Sequence, residues 1–223
     1  MDWDRSTFLY QIWVARWSLF DGFLVTVSSS LLTIVIGSIL GFALGLVLTY
    51  GVLPLRLLAR LYVDVMRGIP VLVLILFTYY GLAIFKLAVK PFWAGVIALS
   101  AFCVAHIAEN VRGAVQSIPR GQHEAGMAIG MRFGQRLRYI ILPQAIRRAL
   151  PPWVNTALEI VKGTTLLSVI GVVELLLANQ QAIARNYMIL QFYMTATVIY
   201  LLINFSIAQA AAALERRYSY LRY

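Results

Sequence analysis

Charge is scarce in this sequence: 13% of its 223 residues are Asp, Glu, Lys or Arg, and 61% are hydrophobic. A soluble domain is nearer a quarter charged, so a water-facing fold is excluded and a bilayer is the expected solvent. Cysteine is reduced to Cys103, which excludes an intrachain disulfide and reads as a small packed residue. Only His106 and His123 accompany it, too few ligands for a metal site, and no cofactor is expected. His106 reads as a packed or hydrogen-bonded interior residue. No G-x-x-x-x-G-K-[ST] phosphate loop is present, which excludes ATP binding through that motif. A nucleophile elbow, a metal cluster and a recognisable carboxylate dyad are also missing, so no enzyme is expected. Without internal repeats, Ser/Gly linkers or low-complexity tracts, residues 1–223 read as a single membrane domain. The acidic opening MDWDRSTFLY does not fit the positive n-region of a cleaved signal peptide. The net charge of +10 lies between apolar runs rather than on one basic face, which argues against nucleic acid as a partner.

What the chain does have is a series of long uncharged runs. Gly22–Leu55, Gly68–Phe85, Pro91–Ala108 and Asn186–Leu214 carry no Asp, Glu, Lys or Arg, and Leu150–Ala178 is interrupted only by Glu159, Lys162 and Glu174. A spanning helix needs about 20 mostly apolar residues. These runs predict an all-α polytopic membrane protein with five transmembrane helices, at about 22–50, 62–85, 91–110, 150–178 and 188–214. The alternation of a transmembrane barrel is missing, and open strands would leave backbone groups unpaired in lipid. Gly68 and Pro70 are expected to kink or start the second helix.

The connections alternate in basic content. Arg56, Arg60 and Arg67 lie in the first, and only Lys86 and Lys90 in the second. The third holds Arg112, Arg120, Arg132, Arg136, Arg138, Arg147 and Arg148, the fourth Arg185, and the tail Arg216, Arg217 and Arg222. The positive-inside rule puts the first and third connections and the C-terminus in the cytoplasm and the N-terminus outside, as an odd number of spans requires. Trp3, Trp13 and Trp17, with Leu9 and Phe20, suggest an N-terminal amphipathic segment on the outer interface.

The third connection, about 113–148, is the most informative stretch. Within SIPRGQHEAGMAIGMRFGQRLRYIILP (Ser117–Pro143) lies a helix-forming piece, Glu124–Ile129, between Gly121 and Gly130. Glu124 is expected at the helix start, where its charge complements the dipole. Gly130 is expected to supply a left-handed exit. Pro143, Pro151 and Pro152 are expected to limit where the next helix begins.

Glu124-Ala125, Gly130 six residues on, then Ile140, Leu142 and Pro143 resemble the EAA loop of ABC importer permeases. MRGIPVLVLILFTYYGL (Met66–Leu82), AENVRGAVQSIPRGQHEAG (Ala108–Gly126), VKGTTLLSVIGVVELL (Val161–Leu176) and the terminal LERRYSYLRY are similar to successive segments of polar amino-acid permeases of the histidine/glutamine/glutamate/arginine type. The chain departs from the family pattern at Gly126 (usually Ala), Gly163 (often acidic or amide) and His106 (often aromatic). Gly126 in place of Ala is expected to loosen the loop helix by about 1 kcal/mol.

The resemblance implies a type I ABC importer permease fold with a cytoplasmic coupling helix, in the bacterial inner membrane. It implies as partners two ATP-binding cassette ATPase subunits, a second permease subunit (a copy or a homologue), and a periplasmic or surface-anchored solute-binding protein. Glu124, Ala125, Gly126 and Gly130 become the residues that couple to the ATPase. The loop arginines either contact that ATPase or only set topology. Import of a polar amino acid or related small solute follows from the resemblance alone.

Charges inside a span are functional candidates by default. Glu159 and Lys162 are three apart and so adjoin on one helix face. Thr156 is expected on that face, and Gly163, Thr164 and Thr165 offer a helix irregularity and hydroxyls. A zwitterionic substrate needs one group for its carboxylate and another for its ammonium, which these positions supply. Alternatively, Glu159 and Lys162 pair with each other or snorkel to an interface. In relatives carrying cationic amino acids the position of Thr156 is often acidic, and its absence argues against a dedicated arginine or lysine system. Glu174 is expected near the outer interface, and Glu109 and Arg112 as a local pair. The competing reading is a stand-alone secondary carrier or channel, which predicts inverted repeats and leaves the loop unexplained. A membrane scaffold is a third.

Overall fold

The computed structural model describes residues 7–218, with side chains through Ala213. Trp3, Arg5 and Arg222 lie outside the described residues, as do the side chains of Arg216 and Arg217. Every regular element among the described residues is helical. Among the described residues, three helices are long and apolar enough to cross a membrane, or up to five if each of two interrupted pairs is one span.

The first helix, α1, runs from Phe8 to Tyr50 without a break. The N-terminal segment expected to be amphipathic is continuous, in one helix, with the span expected from residue 22. Nothing between Phe8 and Asp21 stops a helix, and Gly22 marks a close approach instead of an end. A Cβ there would meet Ala178 Cβ at 2.9 Å and the Glu174 carbonyl at 3.1 Å. At a rise of 1.5 Å per residue, α1 is roughly 65 Å long, about twice the hydrocarbon thickness. Its first turns are two-faced: Leu9, Trp13, Trp17 and Phe20 are exposed, while Ala15 and Leu19 are buried. The Arg16 guanidinium stacks over the Trp13 ring at 3.8 Å.

The second expected span, 62–85, is two helices, α2 (Leu53–Gly68) and α3 (Val71–Ile84). Pro70 keeps Ile69 extended, with ψ 132°, and removes an amide the ladder needs. Helix α4 (Pro91–Gln116) opens on proline, where its missing N–H costs nothing, and continues past the expected end at 110.

The fourth expected span, 150–178, and the segment before it differ most from expectation. Helix α5 is Arg120–Ala128, and helix resumes at α6 (Phe133–Arg136). A π turn over Leu137–Ile141 leads straight into α7 (Leu142–Gly163), which contains Pro151 and Pro152. The prolines therefore do not delay the helix. The π turn widens the winding where Pro143 would otherwise press on the preceding turn. A 3-10 turn, Thr164–Ile170, follows, and Gly171 at φ 83° breaks the chain before α8 (Leu175–Asn186). The fifth expected span, 188–214, falls within α9 (Ile189–Tyr218) except at its first residue.

The chain gathers into two compact units. One holds the chain up to Thr33, Pro70–Leu99 and Leu158–Ile207; the other holds Ile34–Ile69, Ser100–Ala157 and the chain from Ala208. In the first, Ala15, Leu19, Ala178, Ala182 and Phe192 form an apolar cluster with Phe8 and Ile12 around it. In the second, Leu48, Ala59, Val63, Ala105 and Ala108 pack together, with Tyr62 and Met66 alongside. Here Gly37, Gly41 and Gly45 of α1 lie against α4. Added Cβ atoms would meet Cys103 Sγ at 2.4 Å, Ile107 Cβ at 2.8 Å and Val111 Cβ at 2.7 Å. Small residues at four-residue spacing let two membrane helices approach this closely. Cys103 is buried against Gly37, and His106 Nδ1 lies 3.1 Å from the Phe102 carbonyl.

Candidate functional site

The loop helix α5 begins at Pro119–Arg120, four residues before Glu124. Glu124 therefore stands in its second turn and does not cap it, which corrects the expected helix start. The cause is Pro119, whose fixed φ of −55° opens the first turn. Gly130 ends the segment at φ +75°, a conformation that costs an L side chain energy and glycine little.

On α5, Glu124, Ala125 and Ala128 are exposed, as are Met127 and the C-capping residue Ile129. Gly126 is the buried position. A Cβ added there would meet Arg136 Cγ at 2.9 Å and Ile140 Cδ1 at 3.0 Å. The glycine that weakens α5 as a helix thus lets it settle onto the π turn. Further bonds tie the loop down. Gln144 Nε2 donates to Gln122 Oε1 at 3.1 Å, and the Arg132 N–H donates to Gln135 Oε1 at 2.8 Å. Arg148 Nη1 donates to the Ser117 carbonyl and to Ser117 Oγ at 3.0 Å. The rings of Tyr50 and Phe133 meet edge-on at 5.1 Å. The result is a seated helix that presents one carboxylate, small residues and two exposed apolar side chains, a form suited to gripping by a protein partner.

Close by in the same unit, Glu109 gathers three arginines. Arg112 Nε donates to it at 2.9 Å, Arg60 Nη1 at 3.4 Å, and Arg67 Nη1 lies 4.0 Å away. Arg60 also pairs with Asp64 at 3.0 Å. The local pair with Arg112 was legible from spacing; Arg60 and Arg67 come from another helix.

The expected substrate-facing residues divide by burial. Glu159 and Lys162 are exposed, Thr165 is half-buried, and Thr156 and Thr164 are buried. Thr156 therefore does not share the outward face of Glu159. Helix rotation turns it inward, where its hydroxyl donates to the Pro152 carbonyl and accepts from Asn110 Nδ2, both at 3.1 Å. Among the described residues Glu159 and Lys162 form no ion pair with each other. The hydroxyls of Thr164 and Thr165 donate to the carbonyls of Val161 and Lys162, both at 2.7 Å. Winding changes from α to 3-10 at Thr164.

Glu174 is fully buried within the protein. Its carboxylate caps α8, accepting from Leu176 N and Leu177 N, each at 2.8 Å, and from the Tyr200 hydroxyl at 2.7 Å. The Leu175 N–H goes to Thr26 Oγ1 at 3.1 Å. Glutamate one residue before an apolar helical run, and three after a glycine, is the signal that could have marked the cap.

The sequence matches, over residues 33–220, the family described as binding-protein-dependent transport system inner membrane component. It is 38% identical over 208 residues to the glutamine transport system permease protein GlnP of Escherichia coli (strain K12), covering 92% of this chain and 95% of that one. It is 37% identical over 200 residues to the L-cystine transport system permease protein TcyB of Bacillus subtilis (strain 168), covering 89% and 86%. Its fold is similar to the crystal structure of an amino acid ABC transporter with histidines, with a TM-score of 0.87 and 30% identity over 97% of this chain and 100% of that one.

Proposed function

The chain belongs to the family of binding-protein-dependent transport system inner membrane components, and from that membership we propose that it carries a polar amino acid or a related small solute inward. It is a membrane-spanning permease subunit of an ABC importer. The relatives named for glutamine and L-cystine support the substrate class. Hydrolysis belongs to separate ATPases, since this chain has no phosphate loop.

The observation that carries the mechanism is the seated helix α5, with Glu124 and Ala125 exposed and Gly126 buried. Two ATPase subunits would grip this helix and its counterpart in a second permease subunit, identical or homologous. Because α5 is anchored through Gly126 and Gln122, a pull on its exposed face moves the loop as a body. That motion would alternate the pathway between its two openings. A solute-binding protein would deliver the cargo from outside.

The orientation follows the arginine-rich third connection: loop and C-terminus in the cytoplasm, N-terminus outside, in a bacterial inner membrane. The whole chain then works as one permease domain. Glu159 and Lys162, exposed and without a partner in each other, are available to the ammonium and carboxylate of a zwitterion. Thr164 and Thr165 shape the wound-down backbone beside them, and Thr156 with Asn110 fixes α7 against α4.

Uptake of labelled glutamine, cystine and an opine into proteoliposomes holding permease, ATPase and binding protein tests the reading. Uptake that requires both ATP and binding protein is expected. Uptake by the permease alone would establish the carrier alternative.

A further inference from the structure

Within the second unit, α1, α4 and α7 line an open-sided slot of about 540 Å³, walled by Phe42, Ile107, Val111, Ala145, Ile146 and Leu150 among others. Two donors on its walls are already used. Asn110 Nδ2 donates to Thr156 at 3.1 Å, and Trp153 Nε1 donates to Ser38 Oγ at 2.8 Å. An apolar void favours an apolar occupant over water. The volume equals about 18 groups of water size at ~30 Å³ each, and a methylene is of similar size. A fatty-acyl chain therefore matches the slot in both bulk and chemistry.

At the loop end, Arg148 reaches from α7 to Ser117, just past the end of α4, and so bridges the walls near Val115 and Ala149. Arg148 is exposed and makes no ion pair among the described residues. Its bonds to Ser117 use Nη1, which leaves Nε and Nη2 to present a fork to an incoming anion. A guanidinium fork binds a phosphate through two parallel bonds, and basic pockets between membrane helices hold anionic headgroups.

We propose that this slot is a binding site for an anionic phospholipid of the loop-side leaflet, with one acyl chain between α1, α4 and α7 and its phosphate on Arg148. Assigning that leaflet to the cytoplasmic side rests on the functional reading above; the chemistry of the slot does not.

The test uses the assembled complex with phosphatidylglycerol carrying a photoreactive diazirine at the end of one acyl chain, and with phosphatidylcholine carrying the same chain. Cross-linked peptides are identified by mass spectrometry. The phosphatidylglycerol probe is expected to label wall segments of α4 and α7 about tenfold more than the phosphatidylcholine probe. Ala145→Phe, which fills the slot, should abolish the wall label, and Ala145→Leu serves if the larger residue prevents assembly. Arg148→Gln should erase the preference for phosphatidylglycerol while leaving label from both probes. Excess inorganic phosphate should not compete, because the chain supplies part of the binding. Equal wall labelling by the two probes in the unaltered complex would overturn the proposal, as would competition by phosphate alone. So would a photoreactive residue at Ile146 that captures the second permease subunit, since a protein helix would then fill the slot. Substrate-stimulated ATPase activity is measured in parallel. Its absence with lipid labelling intact would fault the transport reading and leave the lipid site standing.

Discussion

The Tyr200 hydroxyl donates to Glu174 Oε2 across 2.7 Å, joining α9 to the N-terminus of α8. Glu174 is fully buried and accepts two backbone amides as well. Replacing it strands three donors, and an unmade buried bond costs more than a made one contributes. Glu174→Ala is expected to destabilise the complex by about 3 kcal/mol, and Tyr200→Phe by about 1 kcal/mol. Unfolding midpoints in detergent measure both. Coincident midpoints for Glu174→Ala and the unaltered protein would refute the buried-cap description.

The glycines of α1 and α4 should respond in opposite directions. A Cβ at Gly41 would meet the Val104 carbonyl at 2.9 Å, so the two helices must separate. Gly41→Ala is expected to cost about 2 kcal/mol. Gly113, inside α4, has nothing within 4 Å of its added Cβ, and Gly113→Ala should gain up to about 1 kcal/mol from helix propensity. The same thermal unfolding assay decides the matter; a gain at Gly41 would contradict the packing described.

The ion cluster separates a shared acceptor from an exposed pair. Glu109 has a half-buried carboxylate with three arginines around it, whereas Asp64 is exposed and, among the described residues, forms an ion pair only with Arg60. Glu109→Gln is expected to cost about 1–2 kcal/mol, and Asp64→Asn less than about 0.5 kcal/mol. Raising salt should narrow the difference little, since partly buried pairs are weakly screened. Equal losses would show that Glu109 is no hub.

The proposed substrate contacts predict a kinetic split. Glu159→Gln and Lys162→Met should each raise the apparent KM for uptake about tenfold, the loss of one charge-assisted contact, with basal ATPase activity unchanged. A matched fall in uptake and ATPase rates, with KM constant, would assign the pair a structural role.

Much of the architecture was legible because lipid imposes it. Charge-free runs marked the helices of the spans, and Gly130 announced the loop's left-handed exit. Four features were not legible. The role of Gly22 as a point of close approach inside α1 depends on Glu174 and Ala178, more than 150 residues away. The passage of α7 over Pro143 depends on a π turn, which no proline rule anticipates. The inward turn of Thr156 and the burial of Glu174 depend on partners, Asn110 and Tyr200, that only the tertiary fold supplies. The loop arginines looked alike in sequence, yet Arg136 packs beside Gly126 while Arg148 bonds to Ser117.

We propose that α5 transmits force between this permease and ATPase subunits. The direct measurement is ATPase activity of the reconstituted complex, stimulated by substrate-loaded binding protein, for the unaltered chain and for Glu124→Lys. Glu124 is exposed, so the substitution should leave the membrane fold intact. With α5 as the transmitting element, stimulation is expected to be lost while the complex remains inserted in the membrane. Undiminished stimulation in Glu124→Lys would contradict it.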